Sequence, residues 1–246
     1  MKRIAAVLLV AASAACASAP PSSGDSAEAL LARAIAASGG AAALERAPAL
    51  TWEGDAVVHA GGRDIAIAGR WQVLPPDSAV VSTWPVAAGP SAVRHLVVAL
   101  PRGWAVRDGR FEALPADVLA NERDEFYLYH VLRLVPLRAP GVTLERIAAD
   151  SLGQPGIRVR QPDRPDVEMY FGADGRPAHL RATITDPFKG GPVVEDVWLA
   201  GTLEDAGVRW PSSLRLTLAG APYFDLTLRN LKVGGVLQDT LLAGPR

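Results

Sequence analysis

The chain has 246 residues, 49% of them hydrophobic, with 25 basic against 26 acidic side chains. That length and apolar content suffice for one domain with a buried core, and the near-neutral charge excludes electrostatic capture of nucleic acid. Four histidines in separate segments and a lone cysteine give no metal-ligand spacing, so neither zinc, an iron–sulfur cluster nor another cofactor is expected.

Lys2 and Arg3 precede an apolar run over 4–12, and Ser13, Ala14 and Ala15 lead to Cys16, the order of a bacterial export signal. The run is about half of the roughly 20 apolar residues that a membrane-spanning helix needs. Ser13-Ala14-Ala15-Cys16 resembles the lipobox of bacterial lipoproteins, with Ser13 where an aliphatic residue is usual. The resemblance implies cleavage before Cys16, a diacylglyceryl group on its thiol, and membrane anchoring by palmitate-class acyl chains. Ordinary signal-peptidase cleavage after Ala15-Cys16-Ala17 is the rival. A single cysteine in an exported chain has no intramolecular disulfide partner, which favours the lipoprotein reading. Acyl methylenes contribute about 0.8 kcal/mol each, enough for stable attachment when more than one chain is present. Residues 17–25, rich in Ala, Pro and Ser, read as a tether. Ala17 is not the Asp that retains enterobacterial lipoproteins at the inner membrane, so the same resemblance implies an outer-membrane protein facing the periplasm. The expected organisation is a signal peptide over 1–15, a lipidated cysteine and tether over 16–25, and one β domain over 26–246.

Ser26 is placed to cap a helix with Leu30, Leu31, Ala34 and Ile35 on one face, and Gly39-Gly40 ends it. Period-two runs follow over 50–59 and 64–73, joined at Gly61-Gly62, then over 78–84, 92–100 and 104–107, which predicts about five strands. The segment LPADVLANERDEFYLYHVLRLVPL at 114–137 then predicts the one long internal helix. Pro115 suits its first turn, Asp117, Glu122, Asp124 and Glu125 precede Arg133 in the order that complements the helix dipole, and Pro136 stops it. From 126 to 135 only His130 and Arg133 are polar, so this half must be covered on most sides. Further strands are expected over 142–147, 156–160 and 167–171, and in the tail around Leu180, Val197, Leu214 and Leu226. About ten antiparallel strands with one apolar face each must curl, so a mainly β fold is expected, a half-barrel with an N-terminal helix and a central helical plug or lid.

Two blocks, SGGAAALERAPALTWEGDAVV at 38–58 and FGADGRPAHLRATI at 171–184 with VWLAGTLEDAGVRWPSSLRLTLAG at 197–220, carry a further likeness. With the lipobox and the element order they resemble the LolA/LolB family of periplasmic lipoprotein carriers and receptors. The resemblance implies an incomplete β-barrel whose helical lid encloses an apolar cavity for acyl chains. Cavity-lining candidates are Trp71, Trp104, Phe126, Tyr129, Leu132 and Phe224, each of which also fits plain core. Trp198 is a weaker candidate, since it lies on the polar parity of its strand. His130 and Arg133 are candidates for a headgroup at the cavity mouth, with structural pairing to Glu122, Asp124 or Glu125 as the alternative. The loop at 186–191 reads as a solvated turn or a partner contact. Glu53 with Asp55, and Glu195 with Asp196, read as ordinary strand-edge carboxylates. No nucleophile elbow, His-Glu-x-x-His pair or phosphate-cradling loop is present, so a non-enzymatic role is expected, with a triad assembled from distant positions as the residual enzymatic reading. The leading expectation is a lipid-anchored module that binds a lipid or lipoprotein acyl chain. The alternative is an interaction lipoprotein with a filled core.

Overall fold

The computed structural model describes residues 24–234, 237 and 240–245; the export signal and Cys16 lie outside the described residues. Helix α1 (Ala27–Ala37) is capped by Ser26, whose Oγ accepts from the Ala29 N–H at 3.2 Å, and the short α2 (Ala41–Glu45) follows the Gly39-Gly40 turn. Six strands come next: β1 (Ala49–Ala60), β2 (Arg63–Leu74), β3 (Ser78–Pro85), β4 (Arg94–Ala99), β5 (Arg102–Arg107) and β6 (Arg110–Ala113). Helix α3 (Ala116–Leu132) and a single 3-10 turn (Val135–Arg138) separate them from β7 (Thr143–Ile147), β8 (Gly156–Arg160), β9 (Val167–Phe171), β10 (Pro177–Thr185) and β11 (Pro192–Ala200). A small hairpin, β12 (Leu203–Asp205) and β13 (Val208–Trp210), precedes β14 (Ser213–Leu218) and β15 (Ala221–Gly234).

Thirteen strands form one open antiparallel sheet in the order β6-β5-β4-β3-β2-β1-β15-β14-β11-β10-β9-β8-β7. The chain meanders out to the β6 edge, and after α3 it re-enters at the β7 edge and meanders back until β15 pairs with β1. The helix therefore connects the two free edges. Its course must cross the mouth of the curled sheet, which is why an apolar helix sits inside the concavity.

One face of nearly every strand is apolar, and these faces converge on a single core with α1 and α3 at its centre. Gly54 of β1 faces Gly69 of β2, and the sheet packs closely around both. A side chain at Gly69 would meet the Ser82 carbonyl at 2.5 Å, and one at Gly54 would meet Leu226 at 2.7 Å, so only glycine lets these strands close so tightly. Helix α3 ends at Leu132, earlier than the sequence pattern suggests, because Leu134 adopts a left-handed φ of 62° before the turn that contains Pro136. The strands number more than the ten expected, the short β6, β12 and β13 being too brief to show a period.

Candidate functional site: an acidic, aromatic cleft beneath the central helix

The two halves of α3 are held differently. Tyr127, Leu128, Val131 and Leu132 in the second half are buried. Below them a run of rings crosses the core, with Trp71 and Trp52 stacked at 6.4 Å, Trp52 and Tyr129 at 5.5 Å, and Tyr129 and Trp210 at 6.5 Å. The first half is fastened sideways to β10. The Asp124 carboxylate accepts from both the N–H and the Oγ1–H of Thr185 at 3.1 Å, and Asn121 Nδ2 donates to the Thr185 carbonyl at 2.8 Å. Pinned to β10 on one flank, the helix leaves a gap on the other.

That gap is a cleft of about 240 Å³. Its sheet wall comes from Ile67 and Trp71 of β2, Val81 and Thr83 of β3, Leu96 of β4, Leu216 of β14, and Tyr223 and Phe224 of β15. Its helix wall is Asn121, Glu122, Glu125, Phe126 and Tyr129, spaced to lie along one side of α3. Among the described residues, no Lys, Arg or His lines it. At its open end, Ile65 of β2 is 42% exposed and Phe188 of the β10–β11 loop is 60% exposed. Ile65 shares the inward parity of Ile67 and Trp71, and Phe188 meets Tyr223 edge-on at 5.7 Å, so both apolar side chains belong to the rim.

The carboxyl groups are the unexpected feature. Glu195, on β11 beneath α3, is fully buried, and among the described residues no basic side chain pairs with its carboxyl. Its side chain abuts that of Glu125, so the two carboxyls face each other and are stable only with a proton between them. Burial pushes Glu195 up to about 7, and burial followed by the neighbouring Glu195 charge pushes Glu125 well above the usual carboxylate range. Burial first, then the charge of Glu125, pushes Glu122 up to about 8. What surface Glu122 and Glu125 retain opens on the cleft, where protein surrounds it. The phenols of Tyr129 and Tyr223 rise above their usual range, mainly through burial and also through these carboxylates.

The structure gathers four of the sequence candidates, Trp71, Phe126, Tyr129 and Phe224, on the cleft. Trp104 lies on the other face of the sheet, in a separate cluster with Val80, Val97 and Val106 under the C-terminal turn Thr240–Ala243. Trp198 is also on that outer face, stacked on His179 at 3.8 Å. Leu132 is core near Trp210, away from the cleft. His130 stacks on Tyr127 at 5.9 Å and turns to the backbone of Pro75; burial and the charge of Arg133 hold it below the usual histidine range. Arg133 is half-buried and its Nε has no partner. Neither pairs with Glu122, Asp124 or Glu125, which corrects the structural pairing anticipated above. Glu125 and Arg133 are eight residues apart, about 12 Å along a helix, well beyond the three- or four-residue spacing of an ion pair. Asp124 is met instead by Arg123 at 3.3 Å. Glu195 is likewise no strand-edge carboxylate: it shares the inward parity of Val193 and Val197, the signal that marks it as buried.

No protein-family model matches the chain, and no curated protein does either. Solved structures do match in fold. A LolA superfamily protein from Nitrosomonas europaea aligns with a TM-score of 0.54 at 8% identity over 89% of this chain and 97% of its own. A domain described as an outer membrane lipoprotein-sorting protein, from Vibrio parahaemolyticus, aligns at 0.53 with 10% identity over 88% and 95%. A DUF1329 family protein from Desulfovibrio piger aligns at 0.55 with 9% identity over 89% and 97%. The fold is LolA/LolB-like, an open antiparallel half-barrel around a helix.

Proposed function

We propose that this protein is an exported binding module that holds an apolar or amphiphilic molecule, such as a lipid or a lipoprotein acyl chain, in the cleft beneath α3. The cleft carries this reading. It is bounded by Ile67, Trp71, Val81, Leu96, Phe126 and Phe224, it opens between exposed apolar side chains, and it lies where a crossing helix covers the sheet. Burying apolar area there contributes on the order of 25 cal/mol per Å². At about 240 Å³ the space is below the roughly 300–1,000 Å³ common for small-molecule pockets, so it suits one chain or chain end at a time. Serine, cysteine and histidine are absent from its walls, which supports binding over nucleophilic catalysis. The tether and Cys16 of the sequence fit a lipid anchor at the outer membrane, facing the periplasm. The lipoprotein-sorting description of the Vibrio parahaemolyticus domain supports the choice of acyl chains as ligand.

A second reading, an interaction lipoprotein with no small-molecule ligand, is favoured by one observation: α1 and α3 already fill the concave face over β8 to β10. Extraction and mass spectrometry of protein purified from its native envelope under mild conditions separates the two. A stoichiometric hydrophobic molecule supports the first, and an empty, stable protein supports the second.

A further inference from the structure

We propose that the cleft selects an amphiphile carrying an organic ammonium group, with the carboxyls of Glu122 and Glu125 as its counter-charges and the rings of Phe126, Tyr129 and Tyr223 as its walls. This rests on the reading of the cleft as a ligand site and names the chemistry of the ligand's polar group.

Three observations carry it. First, the cleft is polarised in one sense: two carboxyl groups line it, the fully buried Glu195 stands directly behind Glu125 and shares its proton, and among the described residues no basic side chain lines it to offset them. Enclosed carboxyls without a cation are costly, and a cavity built only for alkyl chains has no use for them. Second, the remaining walls are aromatic. Phe126 and Tyr129 lie 6.1 Å apart and Tyr223 and Phe224 6.4 Å apart, all on the cleft. Ring faces attract an ammonium ion, more strongly where water is excluded, and aromatic walls with an acid are the way proteins hold alkylated amines. Third, the protonation state fits a cation that arrives last. Glu122, pushed up to about 8, and Glu125, higher than usual, hold protons while the cleft is empty, and a bound ammonium would favour their ionised forms. Binding is then coupled to proton release. The groups facing this site from other elements are also acidic or phenolic: Glu195 on β11, Asp186 in the β10–β11 loop and Tyr223 on β15. They reinforce the preference for a cation. A fatty acid would instead place its carboxylate against carboxylates.

The test uses three probes of equal tail length, octylammonium, 1-octanol and octanoate, titrated calorimetrically into the folded protein. At pH 8 octylammonium should bind at least about tenfold more tightly than 1-octanol, octanoate more weakly than either, and the ammonium preference should shrink toward pH 5. Repeating the titration at pH 7 in two buffers of different ionisation enthalpy should show proton release with octylammonium and none with 1-octanol. Glu122→Gln with Glu125→Gln, which removes charge and keeps shape, should abolish the preference; a thermal melt confirms that the variant is folded. Equal or tighter binding of 1-octanol or octanoate, or a preference that survives in the double variant, overturns the ammonium proposal and leaves the apolar cleft standing. Binding of none of the three overturns this proposal together with the reading it rests on.

Discussion

Replacing Glu122 by glutamine should make the folded protein less sensitive to alkaline pH. Glu122 titrates near 8 in the fold, against 4.5 in an unconstrained chain, because the walls of the cleft enclose it and Glu125 is beside it. Between those values the folded state holds a proton that the unfolded state has released, so stability present below pH 4.5 is lost as pH rises through 8. Each pH unit is worth about 1.4 kcal/mol, which over the full window is on the order of 5 kcal/mol for a completely enclosed group. Water entering the open cleft screens the charge, so roughly 2–3 kcal/mol should remain. Urea denaturation of wild type and Glu122→Gln at pH 5 and pH 9 measures it. The variant's advantage should grow by roughly 2–3 kcal/mol between the two pH values, or roughly 4–12 °C in melting temperature for a domain of this size. Parallel curves would show that Glu122 is solvated in the fold and would refute the enclosure on which the argument depends.

Five other substitutions probe separate features of the protein. Phe126→Ala and Trp104→Ala each remove a buried ring and should each cost about 3–5 kcal/mol in denaturation, but only Phe126→Ala should alter binding of a fluorescent apolar probe. Asp124→Ala leaves the Thr185 N–H and hydroxyl without their acceptor and should cost about 1–3 kcal/mol, with hydrogen exchange rising first in the N-terminal half of α3. Gly39→Ala would place a methyl 1.9 Å from the Gly207 carbonyl at a φ of +116°, so a loss of roughly 2–4 kcal/mol is expected in thermal or urea melts. Cys16→Ser should abolish incorporation of an alkyne-tagged palmitate and release the protein from the membrane fraction, whereas unchanged labelling would exclude Cys16 as the acylated residue.

Much of the fold is written in local pattern. The strands at Gly156–Arg160 and Val167–Phe171 coincide with their apolar alternation, and Ser26 and Gly39-Gly40 bound α1 as capping chemistry requires. The all-round apolarity of α3 after Phe126 is explained by its course between the two sheet edges, a topological fact with no local signature. Parity shows that Trp104 has a covered face but not which one. The outer face of β3 to β5 carries its own small cluster under the C-terminal turn, so Trp104 is buried on the side away from the helix.

The carboxyls of the cleft were legible in part. Glu195 sits at an inward position between Val193 and Val197, and an acid on an apolar parity is a signal that reading the strand's hydrophobic residues alone passes over. Glu122 and Glu125 read naturally as partners for the basic end of their helix, and only the tertiary structure shows that they face an apolar cleft and no base. The contact between Glu125 and Glu195 joins residues 70 positions apart, beyond the reach of any local period.

The most direct test of the central claim is to find where a ligand sits. Photolysis of the protein with a diazirine-bearing alkyl amphiphile, followed by peptide mapping, should place the label on the segments that carry Trp71, Phe126, Tyr129 and Phe224, and unlabelled competitor should suppress it. Label confined to the outer face around Trp104 and Trp198, or label that competitor does not suppress, would contradict a binding site beneath α3.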